Sequence, residues 1–140
     1  MWDRLYLGMG AVSAALAVGC GAFGAHALKA KVTAGLLAPE RLETWHTAAQ
    51  YQMWHALAII LVAIALHLRV LRPGSGLLIG FLAGTVLFSG SLYALVLSDQ
   101  AVLGAVTPLG GLTWIATWLA LAWNAWESRL GTDADGHPLA

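Results

Sequence analysis

The chain has 140 residues, of which 59% are hydrophobic and only 10% charged, and its mean hydropathy is +0.74. Soluble domains carry about 25% charged residues, so this composition indicates a single-domain integral membrane protein. The seven basic and seven acidic residues cancel and form no basic cluster, which argues against nucleic acid as a partner.

Long uncharged segments predict an all-α integral membrane fold with four transmembrane helices in an up-down bundle. A hydrocarbon core of about 30 Å takes roughly 20 helical residues to cross. The predicted spans cover residues 5–28, 46–68, 76–97 and 102–123 of a transmembrane domain at 1–127, and residues 128–140 are predicted to form a disordered tail.

In the first span, small residues recur at every fourth position, as in the row Ser13, Ala17, Gly21 and Ala25. Lipid supplies no hydrophobic drive for helices to associate, so close packing along such rows substitutes for it. We therefore expect Gly21 to lie at a helix contact. The alternative is an Ala/Gly-rich helix without a partner on this face.

The start of the second span carries a polar face. On a helix, six residues fall within one arc of roughly 140°. They are Thr44, Thr47, Gln50, Tyr51, Trp54 and His55. We expect this face to need polar partners. Pro39 suits a first helical position, and Trp45 is predicted to mark the membrane interface.

The third span contains the sharpest packing signal. Gly76, Gly80 and Gly84 are spaced i, i+4, i+8, and this pattern predicts a helix contact, either within the chain or between copies. The serines that follow, Ser89 and Ser91, could instead bond to the carbonyls of their own preceding turn.

In the fourth span, Pro108 is predicted to interrupt the first half and to bend the helix. Trp123 and Trp126 then mark an interface, on the same side as Trp2. Basic residues at the span ends favour cytoplasmic termini by a margin of one residue. Arg4, Arg69, Arg72 and Arg129 lie on the side of the termini, against Lys29, Lys31 and Arg41 on the other.

Several polar residues are predicted to share one layer, roughly 8–12 Å below one interface at 1.5 Å per residue. We expect His55, Tyr51 or Gln52 to bond to another span near Ser89, Ser91 or carbonyls freed by Pro108. The predicted buried polar cluster consists of His26, Gln50, Tyr51, Gln52, His55, Ser89, Ser91 and Thr107, and the predicted helix-packing glycines are Gly21, Gly76, Gly80 and Gly84.

No catalytic, cofactor-binding or metal-binding residue is predicted. Cys20 and His26 are six residues apart, and His46 and His55 are nine apart, so neither pair can chelate a metal locally, although a site shared by His26 and His55 stays open. The acidic residues lie at span ends or in loops, which disfavours nucleophilic catalysis.

Four segments carry a resemblance to a known family: residues 21–28 (GAFGAHAL), 51–57 (YQMWHAL), 88–93 (FSGSLY) and 107–111 (TPLGG). In this order they resemble the YgdD-type family of small bacterial inner-membrane proteins, whose domain has no known function. The resemblance implies a multi-pass protein of the bacterial inner (plasma) membrane, and it implies no activity, cofactor or catalytic residue.

The sequence is compatible with two main functions. The leading hypothesis is a non-enzymatic structural or accessory protein that packs through Gly/Ala helix faces against itself or a larger membrane complex. The alternative is a carrier or channel for a small solute or proton, with Gln50, Tyr51, Gln52 and His55 as its polar lining. A membrane enzyme is a third class, but it would need a cofactor that the sequence does not show.

Overall fold

The computed structural model describes residues 1–74 and 76–130, and the regular structure in these residues is helical. The helices are α1 (Trp2–Phe23), α2 (Lys29–Thr33), α3 (Pro39–His67), α4 (Gly76–Thr85), α5 (Ser91–Ser98) and α6 (Thr107–Leu130). Two π-helical turns, Gly24–Leu28 and Val86–Gly90, join α1 to α2 and α4 to α5, and a 3₁₀ turn, Ala101–Ala105, precedes α6.

Joined through these turns, the helices form four segments that are long and apolar enough to cross a membrane. We call them spans one to four; they cover Trp2–Thr33, Pro39–His67, Gly76–Ser98 and Ala101–Ser128. Span one packs along span two, span two against span three, and span three against span four. The prediction of an all-α, four-span up-down bundle is confirmed.

The buried core consists of two clusters, one toward each end of the bundle. The larger cluster lies in the half that holds the chain termini and includes Tyr6, Ile59, Phe81 and Trp114. The smaller cluster, in the other half, consists of Leu28, Trp45, Leu95 and Val96. Many large apolar side chains outside these clusters are exposed, as expected for surfaces that face lipid acyl chains.

Side chains tie the loops to the helix ends. At the end with the termini, the hydroxyl of Tyr6 donates to the carbonyl of Gly74 (2.8 Å) and accepts from the amide of Leu78 (2.9 Å). The Leu78 amide lies in the first turn of α4, where no intrahelical acceptor exists, so the buried tyrosine satisfies an otherwise orphaned donor. At the opposite end, Arg41 and Asp99 form an ion pair at 2.6 Å.

The structure corrects two predictions about individual residues. Span four changes from a 3₁₀ turn to an α-helix just before Pro108, but the proline does not bend the helix as predicted. It is the second residue of α6, where proline is favoured because that N–H has no intrahelical acceptor anyway. Trp45 is 4% exposed and packs between helices, so it does not mark the lipid interface. Its indole N–H donates to the carbonyl of Cys20 (2.7 Å), so the polar atom of the buried side chain has a partner inside the bundle and does not need the water of the interface.

The predicted tail overlaps the end of the last helix. Because α6 runs to Leu130, residues 128–130 of the predicted tail are helical. The remaining residues, 131–140, lie outside the described part of the chain.

Candidate functional site

Gln52 joins three spans at the centre of a buried polar layer. Its amide nitrogen donates to the carbonyl of Ser13 in span one (3.2 Å), and its amide oxygen accepts from the hydroxyl of Tyr93 in span three (2.9 Å). The Gln52 side chain sits on the face of α3 that also carries Trp45 and Ala48, all of them buried. One side chain therefore connects spans one, two and three.

Two serines extend this layer toward spans two and four. Ser89 is fully buried in the π-helical turn, and its hydroxyl donates to the carbonyl of Ala48 (2.8 Å). Ser91 donates to the carbonyl of Phe88 in its own turn and lies 2.9 Å from the hydroxyl of Thr107 at the start of α6. Both alternatives given for the serines thus occur: Ser89 bonds to another span, and Ser91 bonds to the carbonyl of its own preceding turn.

His55 lies between spans two and four, and both of its ring nitrogens are engaged. Nδ1 is 2.8 Å from the carbonyl of Tyr51, and Nε2 is 3.4 Å from the indole nitrogen of Trp118. A carbonyl can only accept and an indole N–H can only donate, so Nδ1 carries the proton and Nε2 accepts. These contacts define one neutral tautomer of the imidazole.

An aromatic cluster surrounds this histidine. The ring of Trp114 stacks on His55, and the half-buried ring of Tyr51 lies 4.9 Å from Phe88 and 5.9 Å from Trp114 between ring centroids. Trp114 also donates its indole N–H to the carbonyl of Phe81 (3.2 Å). The cluster fills the space between spans two, three and four with groups that contact one another.

Two of the four predicted packing glycines lie at close helix contacts. A Cβ atom at Gly80 would overlap Thr117, and one at Gly84 would overlap the indole of Trp114, so span four approaches span three along this glycine row. A Cβ at Gly21 or Gly76 would meet nothing within 4 Å. The packing role predicted for Gly21 and Gly76 is therefore not found within the single chain.

The predicted polar cluster needs a further correction, since His26 and Gln50 are exposed in this chain. Span two is rotated relative to the predicted arc: the buried face carries Ala48, Gln52 and Ala56, whereas Gln50 points outward. The small alanine side chains let span one approach this face closely, and that packing decides the rotation.

A groove of about 490 Å³ opens between spans one and three on the outer surface of the bundle. Its lining is mostly apolar, and it includes Ser13, Cys20, Gln52 and Tyr93. The polar atoms of Gln52 and Tyr93 are already bonded to each other, so the groove presents mainly aliphatic surface.

The described residues contain no group of three or more histidine, cysteine or acidic side chains that could hold a metal ion. Within the same residues, every buried side-chain nitrogen or oxygen atom has a hydrogen-bond partner. The arrangement combines hydrogen bonds within helices, such as those from His55 and Ser91 to their own preceding turns, with bonds between spans, and the latter help to fix how the spans cross each other.

Sequence reasoning did not identify several partners in this layer. Ser13 contributes a backbone carbonyl, for which no sequence signal exists. Trp114 and Trp118 contact His55 from α6, yet nothing in the sequence pairs positions that are about 60 residues apart. Tyr93 could have been predicted as a member of the layer, because it ends the FSGSLY segment and lies about one helical turn beyond Ser89.

The fold and the site together define a small multi-pass helical membrane protein whose spans are joined by buried polar contacts. The chain belongs to the family described as "Protein of unknown function (DUF423)", which matches residues 20–111. It is 45% identical over 121 residues to UPF0382 membrane protein YwdK of Bacillus subtilis (strain 168), covering 84% of this chain and 93% of that protein.

Staphylococcal proteins give similar matches. A UPF0382 membrane protein of Staphylococcus aureus (strain bovine RF122 / ET3-1) is 40% identical over 119 residues, and one of Staphylococcus haemolyticus (strain JCSC1435) is 40% identical over 118 residues. Each alignment covers 84% of this chain and 92% of the relative. No solved structure matches the chain. The resemblance seen in the four segments therefore holds at the level of an uncharacterised membrane-protein family.

Proposed function

We propose that this protein is a non-enzymatic accessory protein of the bacterial inner membrane, which packs through its helix faces against itself or a larger membrane complex. The observation that carries the proposal is the buried polar layer around Gln52. In the part of the chain that the structure describes, each fully buried side-chain nitrogen or oxygen atom has a hydrogen-bond partner, and several of these bonds join different spans, so the layer stabilises the bundle. The surface that remains for function is the outside of the bundle.

The proposal includes two narrower points. The chain is a YgdD-type protein, as the four sequence segments suggest, and both of its termini are cytoplasmic. The second point is supported by the positive-inside rule, since four arginines flank the spans on the side of the termini and three basic residues on the other.

Isolation of the full-length protein from native membranes in a mild detergent tests the accessory role. Native mass spectrometry of the purified material should show either several copies of the chain or a stoichiometric membrane partner. A chain that is recovered only as a monomer, at several detergent concentrations and after cross-linking in intact membranes, would contradict the proposal.

The carrier alternative assigned a polar lining to His55. In the structure both ring nitrogens of His55 are bonded and Gln50 faces outward, so these two residues do not line a common path. Proton flux into proteoliposomes decides between the two functions. The accessory role predicts the same flux for the native chain, for His55→Ala and for protein-free vesicles, whereas a leak that His55→Ala abolishes would favour the carrier.

A further inference from the structure

We propose that the outward face of α3 is the interface with a second copy of this chain, and that Gln50 is its central polar contact. This inference rests on the proposed accessory role, since it names the partner. The face runs the full length of span two. It consists of Glu43, Thr47, Gln50, Trp54, Leu57, Leu61 and Ile64, and all of these residues are exposed.

The position of Gln50 on this face is the observation that requires a partner. Gln50 follows Glu43 by seven residues, which places it about 10 Å farther along the helix axis from that charge, within the hydrocarbon core. Among the residues that the structure describes, none forms a hydrogen bond with the side-chain amide of Gln50. The nearby polar side chains point elsewhere: Thr47 donates to the carbonyl of Glu43, and Gln52 donates to the carbonyl of Ser13 in the core. An amide that faces acyl chains has no water to replace these bonds.

The chemistry of the side chain favours a second copy over an unrelated partner. A carboxamide carries both donor and acceptor, so it can pair with an identical group. Two copies inserted in the same orientation are related by a two-fold axis along the membrane normal, which places the Gln50 side chains of both α3 helices at the same depth. A lone acidic or basic side chain at this position would not be self-complementary in this way.

The residues around Gln50 fit such a contact. Positions on the face are separated alternately by four and three residues from Glu43 to Ile64, the spacing of a left-handed helix pair. Any outward helix face shows this spacing, so it identifies no partner by itself; the amide within it does. Thr47 is small enough for close approach one turn away, and Glu43 lies at the aqueous end, where its charge stays solvated.

Disulfide cross-linking in liposomes tests the proximity of the two faces. The native thiol is first removed by Cys20→Ser, and Gln50→Cys is then compared with Leu112→Cys, which places a thiol on the exposed surface of α6. Leu112 is a matched control because it is exposed and lies at a similar depth in the bundle to Gln50. Gly110, two residues before Leu112, packs on Phe88, and the adjacent Ser89 bonds to Ala48, two residues before Gln50. Mild oxidation should link Gln50→Cys into a dimer and leave Leu112→Cys largely monomeric.

The role of the amide itself is tested by energy transfer between labelled chains diluted in lipid. Gln50→Ala should raise the dissociation constant of the dimer by about three- to tenfold, as interhelical hydrogen bonds in membranes do, whereas Gln50→Asn should preserve most of the affinity. Equal affinities for the native chain and Gln50→Ala would overturn the proposal, even if the cysteines cross-link. Absence of cross-linking at residue 50 would overturn it as well.

These outcomes separate the interface from the accessory role. If the chain co-purifies with a larger complex but residue 50 does not cross-link to a second copy, the accessory role stands and the dimer is rejected. If the chain is a monomer in both experiments, both proposals fail.

Discussion

The imidazole of His55 lies flat on the indole of Trp114, with ring centroids 3.6 Å apart and an interplanar angle of 2°. The same imidazole accepts a hydrogen bond from Trp118 and donates one to the carbonyl of Tyr51. Span four therefore holds the histidine of span two by its ring face and by one of its nitrogens. An intramembrane histidine is by default a candidate for proton transfer, but this one is fixed by its neighbours.

The first prediction concerns the tautomer of His55. Nδ1 should carry the proton and Nε2 should be the acceptor, because a second proton on Nε2 would face the indole N–H of Trp118. Solid-state NMR of ¹⁵N-histidine-labelled protein in lipid, with His55→Phe for assignment, reports the protonation of each nitrogen. A doubly protonated ring, or a proton on Nε2 alone, would contradict the geometry.

Gly84→Ala should destabilise the bundle. The added methyl group overlaps the indole of Trp114, which is held by its stack with His55 and its bond to Phe81, and overpacking of this kind costs about 1–3 kcal/mol. Gly21→Ala is the matched control, since its Cβ would meet nothing within 4 Å. That variant should keep the helix-propensity gain of about 0.5–1 kcal/mol.

Unfolding in mixed micelles titrated with SDS measures both glycine variants under the same conditions. The two substitutions should change the free energy of unfolding in opposite directions. If they change it equally, close packing at Gly84 is not a source of stability.

Composition and spacing were sufficient to predict the fold, and the reasons are visible in particular residues. Uncharged segments of membrane length specify four spans, and the glycine row predicted the close approach of another helix that is found at Gly80 and Gly84, although Gly76 in the same row meets nothing within 4 Å. Both signals are local in sequence. They need no knowledge of which helix lies opposite.

The rotation of span two could not be predicted in the same way. In water, polar residues mark the exposed face of a helix, but in a bilayer the polar arc was expected to point inward, and Gln50 points outward while Gln52 is buried. The buried face is selected by shape, since Gly10 of span one lies close to the carbonyl of Ala56 and to the side chain of Ile60. Shape complementarity between distant segments leaves no period in a single sequence.

Tyr6→Phe should destabilise the end of the bundle that carries the termini. The hydroxyl links the carbonyl of Gly74 to the amide of Leu78, and its loss leaves two backbone groups unpaired beside a ring that is 1% exposed. A cost of about 1–3 kcal/mol is expected for such buried unsatisfied groups. Thermal denaturation in detergent should show a lower Tm.

Tyr51→Phe is the control for this substitution, because no hydrogen bond from the Tyr51 hydroxyl occurs among the residues described, although its ring is packed. It should leave Tm nearly unchanged. Equal losses in the two variants would mean that the hydroxyl of Tyr6 has no special role.

The bond between Gln52 and Tyr93 should appear as a coupling energy. A double-mutant cycle with Gln52→Ala and Tyr93→Phe isolates the pair, since each substitution removes one partner of the 2.9 Å bond. Interhelical hydrogen bonds in membranes give about 0.6–1.7 kcal/mol in such cycles. The same cycle with Gln50→Ala should give a coupling near zero, because Gln50 faces outward, and a value as large as that for Gln52 would contradict the assigned rotation of span two.

The turn between spans three and four depends on the backbone of Asp99 more than on its charge. Asp99 adopts φ 58°, in the left-handed region, and its side chain is 84% exposed where it pairs with Arg41. Exposed ion pairs contribute little, whereas most residues with a Cβ atom lose roughly 1–2 kcal/mol in this region, and aspartate and asparagine adopt it more readily than other residues. Asp99→Asn should therefore be nearly neutral and Asp99→Ala destabilising, as measured by unfolding at low and high salt. Equal losses that vanish at high salt would show instead that the ion pair holds the turn.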